Sequence, residues 1–376
     1  MSIRTILTRA CRVLAVSLFL LPAVACQAAP SRTAVSDLLK EYPAHHRHQK
    51  LKDTRINLVW QHADVPSVDL STMDIVPGVN VVSPCWYDIT DENGSIRDKT
   101  VEGYVQRAHA RGYQVWPLIT NSFNPAMTRR LLNSPEGQQK VIDRMLEEHR
   151  KHGFDGFNLD FENIYQADKD KLTAFVKKIA TALHKEGLIV SIDVTIPEGS
   201  PNWSLCLDRK AFAESVDYVM LMAYDQYTVS SRSPGPTAAY DWTEENIRKT
   251  LREVPADKLV LGMPLYMRIW DRNLATGALR AKTLDMPEAS RLTVAKNQNP
   301  GFRLEWLLPE KMFYCEYEEN GHRYSFWQEE YQSLRNKANL IGKYKLAGGA
   351  TWRKGFENPQ IWPMLDQRIN PGKEGK

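Results

Sequence analysis

The eight residues Asp155-Gly156-Phe157-Asn158-Leu159-Asp160-Phe161-Glu162 concentrate the chemistry of this sequence. They alternate strictly, so on a β-strand Phe157, Leu159 and Phe161 share one face while Asn158, Asp160 and Glu162 share the other. Same-face neighbours on a strand lie roughly 6.6 Å apart, which sets Asp160 and Glu162 side by side on one wall. Two carboxyls this close raise the proton affinity of one of them. That one then stays protonated near neutral pH, as a general acid must. Buried polar groups are costly unless hydrogen-bonded, and proteins tolerate three on one strand face mainly where they are paired or functional.

Such a strand needs a scaffold with a polar interior and an apolar exterior. The flanking sequence alternates strand-like and helix-like stretches, which predicts a parallel sheet with crossover helices. Apolar or β-branched runs fall near residues 56–60, 79–87, 113–120, 154–162, 189–196, 218–224, 259–266 and 347–352. The fold expected is therefore α/β, a (β/α)8 TIM barrel. Its helices have readable ends: Ser134-Pro135 caps a stripe of Val141, Ile142, Met145 and Leu146 that stops at Gly153. A second stripe of Leu172, Phe175, Val176, Ile179 and Leu183 stops at Gly187. In a barrel the apolar trio of the key strand packs outward against helices and the polar trio points inward. Glu162 then lies nearest the carboxyl end, where barrel enzymes place their active sites. The connection between strands seven and eight is too long for a plain loop. The stretch from Leu304 to Tyr324, with the turn Glu319-Asn320-Gly321, reads as a hairpin in a small α+β insertion at about 271–326.

The key segment resembles the Asp-x-x-Asp-x-Asp-x-Glu signature of glycoside hydrolase family 18, with Asn158 in place of the second Asp. Met222-Ala223-Tyr224-Asp225 is similar to the family's sixth-strand Met-x-Tyr-Asp. Gly262-Met263-Pro264-Leu265-Tyr266 with Arg268 resembles its seventh-strand motif, and Gly348-Gly349-Ala350-Thr351-Trp352 its eighth strand. The resemblance spans about Ile56 to Leu365. Within the family, the sequence looks most like the bacterial spore-wall and peptidoglycan-lytic N-acetylglucosaminidases, through Phe326-Trp327-Gln328 and Trp352-Arg353-Lys354-Gly355.

The resemblance implies retaining hydrolysis of β-1,4 bonds in N-acetylglucosamine polymers, peptidoglycan or chitin. The substrate's own N-acetyl carbonyl attacks in place of an enzyme carboxylate. It makes Glu162 the acid and Asp160 the group that orients and stabilises the intermediate, with Asp155 and Asn158 behind Asp160. Tyr224 and Asp225 hold the N-acetyl group and the distorted sugar, and Trp352 floors the subsite, with Met222 beside it. Strand-end position adds Trp86 and Tyr87, Asn121, Tyr266, Arg268 and Trp270 as candidate cleft residues. The alternative is a catalytically inactive, lectin-like protein of the same family that holds such glycans. A trimmer of N-linked glycans is a further reading.

Composition sets the remaining bounds. The chain has 376 residues, 43% hydrophobic and 25% charged, enough for one large core. A net charge of +4 gives no reason to invoke nucleic acid or a basic membrane-binding surface. Ten Trp and fifteen Tyr suit a groove where sugar faces stack. Arg4, Arg9 and Arg12, the apolar run from Val13 to Val24 and the small residues near Ala25 read as a signal peptide over 1–29. Export follows, to the envelope or beyond, with Cys26 as a candidate lipid anchor. Residues 30–52 read as a linker containing His45, His46 and His48, and 53–368 as the barrel. Cys85, Cys206 and Cys315 form neither a disulfide framework nor a zinc pattern. The chemistry requires no metal or cofactor, and a monomer acting on polysaccharide is expected.

Overall fold

The computed structural model describes residues 51, 54–65 and 68–372. The leader, Cys26, the histidine cluster and most of the linker lie outside the described residues. Eight parallel strands close into a barrel: β1 (Ile56–His62), β2 (Val81–Ile89), β3 (the short pieces Gln114–Val115 and Leu118–Thr120), β4 (Gly156–Asp160), β5 (Ile189–Thr195), β6 (Tyr218–Met222), β7 (Leu259–Pro264) and β8 (Gly348–Trp352). Closure is direct, since β1 pairs with both β8 and β2. The (β/α)8 barrel expected from the alternating pattern is the fold observed.

The helices form where the stripes predict. The helix Pro135–His152 starts at Ser134, whose side chain accepts from the Gly137 N–H, and ends at Gly153 with φ of 76°. That left-handed value carries almost no penalty in glycine. The helix Lys169–Lys185 buries Leu172, Phe175, Val176, Ile179 and Leu183 against the sheet.

Two apolar layers result. Most of the core lies between the strands and the helices, and includes Phe157 and Leu159 of β4 and Phe161 just beyond it. A smaller cluster plugs the barrel interior with Ile56, Leu58, Trp116, Leu118, Tyr218 and Val260, where Trp116 and Tyr218 stack at 5.8 Å. Inward-facing side chains of parallel barrels stack in such layers, so one layer can be polar while the next seals the base. Asn158, Ser191 and Asp193 are all buried inside the barrel.

Between β7 and β8 the chain builds a five-stranded antiparallel sheet from Tyr266–Asn273, Leu279–Asp285, Arg303–Leu307, Met312–Glu319 and His322–Gln328, with the helix Met286–Lys296. The turn at Asn320-Gly321 has φ of 51° and 76°. Positive φ at both central residues is what a tight hairpin with matching twist requires. This sheet begins at Tyr266, immediately after β7, and so brings Tyr266 and Arg268 to the barrel mouth.

Candidate active site

Strand β4 ends at Asp160, and Glu162 lies two residues beyond. Asn121, just after β3, fixes that turn from both sides. Its Oδ1 accepts from the Glu162 N–H at 3.1 Å and its Nδ2 donates to the Glu162 carbonyl at 2.8 Å. Asn121 is buried and is absent from the cavity lining, so it grips the backbone that carries Glu162. Asp160 is buried and its Oδ1 has no hydrogen-bond partner among the described residues.

Burial pushes Glu162 well above the usual carboxyl range, and the nearby charges of Asp160 and Asp225 push the same way. Glu162 and Asp160 act on each other directly, and the pair holds a proton more firmly than a free carboxyl does. Asp160 is itself raised, by burial first and then by Asp193. No lysine or arginine is among the groups acting on either carboxyl.

Beneath this pair Asn158 is fully engaged. Its Oδ1 accepts from Trp60 Nε1 at 2.8 Å and from Ser83 Oγ at 3.4 Å. Its Nδ2 donates to Ser191 Oγ at 3.1 Å and to Asp193 Oδ1 at 2.8 Å. An indole N–H only donates, so Trp60 settles which end of the amide faces which partner.

The opposite wall comes from β6 and the inserted sheet. Asp225 follows β6 with φ of 57°, an uncommon conformation for a non-glycine residue that the surroundings must enforce. Its Oδ1 accepts from Tyr266 Oη at 2.8 Å and from Arg268 Nη2 at 2.7 Å. The Arg268 guanidinium also lies over the Tyr266 ring at 4.8 Å and bonds Thr283 in the inserted sheet. The Tyr224 ring meets Tyr266 edge-on at 6.3 Å.

These walls enclose a cavity of about 720 Å³, lined by Asp160, Glu162, Asp193, Met222, Tyr224, Asp225, Tyr266 and Trp352. Trp352 is half-buried and packs against Trp60 at 6.0 Å. Two aromatic rings on the lining are more open, Phe123 at 41% and Trp203 at 43% exposure. The volume lies in the range of small-ligand sites, and open rings beside it suit the flat apolar faces of sugars.

Four candidates sit elsewhere. Asp155 does not stand behind Asp160: its Oδ2 meets His109 Nε2 at 2.7 Å and accepts from the Val115 N–H at 2.8 Å. Parity explains this, because Asp155 shares its strand face with Phe157 and Leu159 rather than with Asn158. Trp86 is fully buried against Tyr104 at 4.9 Å and Phe154 at 6.0 Å, outside the cleft. Strand β2 runs on to Ile89, and a register irregularity between Cys85 and Tyr87 turns both Trp86 and Tyr87 into the helix-facing core. Trp270 is also buried, its Nε1 donating to the Gly235 carbonyl at 2.9 Å, so it braces a loop rather than lining the cavity.

Asp193 was not among the candidates, although the same parity argument reaches it. Ser191, Asp193 and Thr195 are the alternating polar residues of an otherwise apolar β5. Trp60, Phe123, Trp203 and Gln226 had no comparable signal.

Comparison with known proteins agrees with this geometry. A model of the glycosyl hydrolases of family 18 matches residues 91–356. The uncharacterized glycosylase YvbX of Bacillus subtilis is 22% identical over 285 residues, covering 73% of this chain and 80% of that protein. The cortical fragment-lytic enzyme of the same bacterium is 27% identical over 264 residues, covering 68% of this chain and 60% of that enzyme's length. Among solved structures, the spore cortex-lytic enzyme SleL of Bacillus megaterium shares the fold at a TM-score of 0.75 and 19% identity, over 85% of this chain and 75% of that one. The matched stretch runs from the end of β2 past β8 and contains every residue of the cavity lining, and on that ground the chain belongs to the glycosyl hydrolases of family 18 and is a glycosidase.

Proposed function

We propose that this glycosidase is exported and cleaves peptidoglycan, breaking the β-1,4 bond on the reducing side of N-acetylglucosamine with retention of configuration. The observation that carries the mechanism is the pairing of Glu162 with Asp160 in the cavity lining, where burial and the neighbouring carboxyl both push Glu162 up. Retaining enzymes with an enzyme nucleophile hold two carboxyls about 5 Å apart, flanking the bond from opposite sides. Two carboxyls paired side by side, one at the end of β4 and one two residues beyond it, do not bracket a sugar in that way. The nucleophile we propose is the substrate's N-acetyl oxygen, the route that membership of this family implies.

Glu162 protonates the leaving oxygen as the bond breaks and afterwards takes a proton from the incoming water. Asp160, relieved of its shared proton, carries the negative charge that faces the positive intermediate. Tyr224 presents its hydroxyl to the N-acetyl group, and Asp225, gripped by Tyr266 and Arg268, holds the distorted sugar. Trp352 lies under the ring and Met222 closes its edge. Peptidoglycan is favoured over chitin because two relatives are named for lysis of the spore cortex and its fragments. The apolar leader and Cys26 agree with an envelope enzyme, tethered by lipid or free.

The test is release of reducing ends from purified peptidoglycan and from chitooligosaccharides, with wild type beside Glu162→Gln. Faster cleavage of peptidoglycan, lost in the variant by at least a hundredfold, is the expected result. Preference for chitooligosaccharides overturns the substrate. Binding without cleavage of either overturns the activity in favour of a glycan-holding protein.

A further inference from the structure

The family signature has Asp at the position of Asn158, so one carboxylate is missing from the inner face of β4. The interior contains a replacement on the neighbouring strand. Asp193 of β5 is 2% exposed and accepts from Asn158 Nδ2 at 2.8 Å. Asn158 itself cannot serve Asp160: Trp60 and Ser83 occupy its oxygen, and Ser191 and Asp193 take its two N–H bonds. Asp160 is left with its Oδ1 unpartnered and with Asp193 as the strongest charge acting on it.

We propose that Asp193 is a positioning residue for the reaction, supplying Asp160 and Glu162 from β5 with the neighbouring negative charge that Asn158 cannot supply from β4. The proposal rests on the catalytic reading of Glu162 and deepens it.

The groups that face Asp193 can be named from each packed element. From β4 they are Asn158 and Asp160, and beyond its end Glu162. Tyr224 faces it from the segment after β6, and Cys85 from β2. None of these is a cation; Lys99 and Arg353 act on Cys85 from farther out. A second carboxylate in a cation-free interior has one electrostatic effect: it makes loss of the proton shared by Asp160 and Glu162 harder. The acid therefore stays loaded to higher pH than Asp160 alone would allow. Asn158 fixes the geometry of this arrangement, since its amide, oriented by Trp60, holds the Asp193 carboxylate at 2.8 Å. The three carboxyls titrate as one coupled group, so the observable belongs to the cluster.

The experiment compares wild type, Asp193→Asn, Asn158→Asp and the double variant Asn158→Asp/Asp193→Asn, all in the full barrel. Two readouts are followed: the pH profile of kcat/KM on a chitooligosaccharide with a sugar leaving group, and 13C NMR titration of the Glu162 carboxyl without substrate. Asp193→Asn is expected to move the alkaline limb and the Glu162 titration down by about one pH unit and to lower kcat/KM about tenfold at neutral pH. The double variant, with its carboxylate moved to β4, is expected to bring the limb back toward wild type. Asn158→Asp adds a charge and is expected to move it upward, which keeps the idea testable if Asp193→Asn does not fold. An unmoved limb and titration in Asp193→Asn, or a double variant that stays with it, would overturn the proposal. A shifted NMR titration in a protein that cleaves no glycan supports this inference and removes the hydrolase reading instead.

Discussion

Two groups of buried charge in this molecule are built on opposite principles. At the junction of the inserted sheet and the helix Tyr331–Lys343, Glu329 meets Lys337 at 2.5 Å with both side chains at most 1% exposed. Ser333 donates to the remaining carboxylate oxygen at 3.1 Å. Burial raises Glu329, while Lys337 and Ser333 pull it back down. The barrel mouth holds Asp160 and Asp193 buried and Glu162 half-buried, with each acting on another and no cation among them. One arrangement neutralises its charges within the fold. The other leaves a proton in short supply among three acids, and the surplus charge can be answered only by what enters the cavity. Strain of this kind is retained where it serves chemistry rather than stability.

The comparison predicts opposite responses to neutralising substitutions. The largest effect belongs to the paired site. Lys337→Met strands the Glu329 carboxylate in the core and is expected to destabilise the fold by about 3–5 kcal/mol, with Glu329→Leu/Lys337→Met recovering most of the loss. Chemical denaturation of the three proteins checks this; equal stability of wild type and the single variant would show that the pair is not buried as described.

Next in size is the grip on Asp225. Arg268→Ala removes one of the two donors to Asp225 Oδ1 and is expected to lower kcat/KM about tenfold, with little change in thermal stability. Steady-state kinetics beside a melting curve decides the matter. An unaltered kcat/KM would mean that Tyr266 alone holds Asp225.

The smallest effect has the opposite sign to the first. Asp160 is an acid raised in the folded state, so its contribution to stability is complete below the unfolded value of about 3.9 and is lost as pH rises through the folded value. Asp160→Asn removes that loss. Its melting temperature is expected to exceed wild type by about 2–4 °C at pH 8 and to match it near pH 3, while activity falls away. A variant less stable than wild type at every pH would show that the charged carboxylate stabilises the fold after all.

Strand parity made much of the site legible. It sets Asn158 and Asp160 on one face of β4 and points to Glu162 just beyond its end, and the barrel then directs that face inward. The same rule, carried through, turns Asp155 outward to His109 and finds Asp193 on β5. A motif read as a block hides both facts, because the signature spans residues of both faces. Trp86 marks a different limit. Its placement depends on where β2 ends and on a register irregularity opposite β3, and neither leaves a mark in composition or spacing. The ties from Asp225 to Tyr266 and Arg268 join segments some forty residues apart. They exist because a sheet built after β7 starts at the barrel mouth, a tertiary arrangement that local sequence does not encode.

The central claim is that Glu162 delivers the proton to the leaving oxygen. It is tested most directly by comparing wild type and Glu162→Gln on two glycosides of the same chitooligosaccharide, one with a sugar leaving group and one with dinitrophenolate, which departs without a proton. A general acid predicts a loss of at least about a hundredfold on the first and a small loss on the second. Equal losses on both would contradict the assignment and make Glu162 a group that holds the substrate rather than one that protonates it.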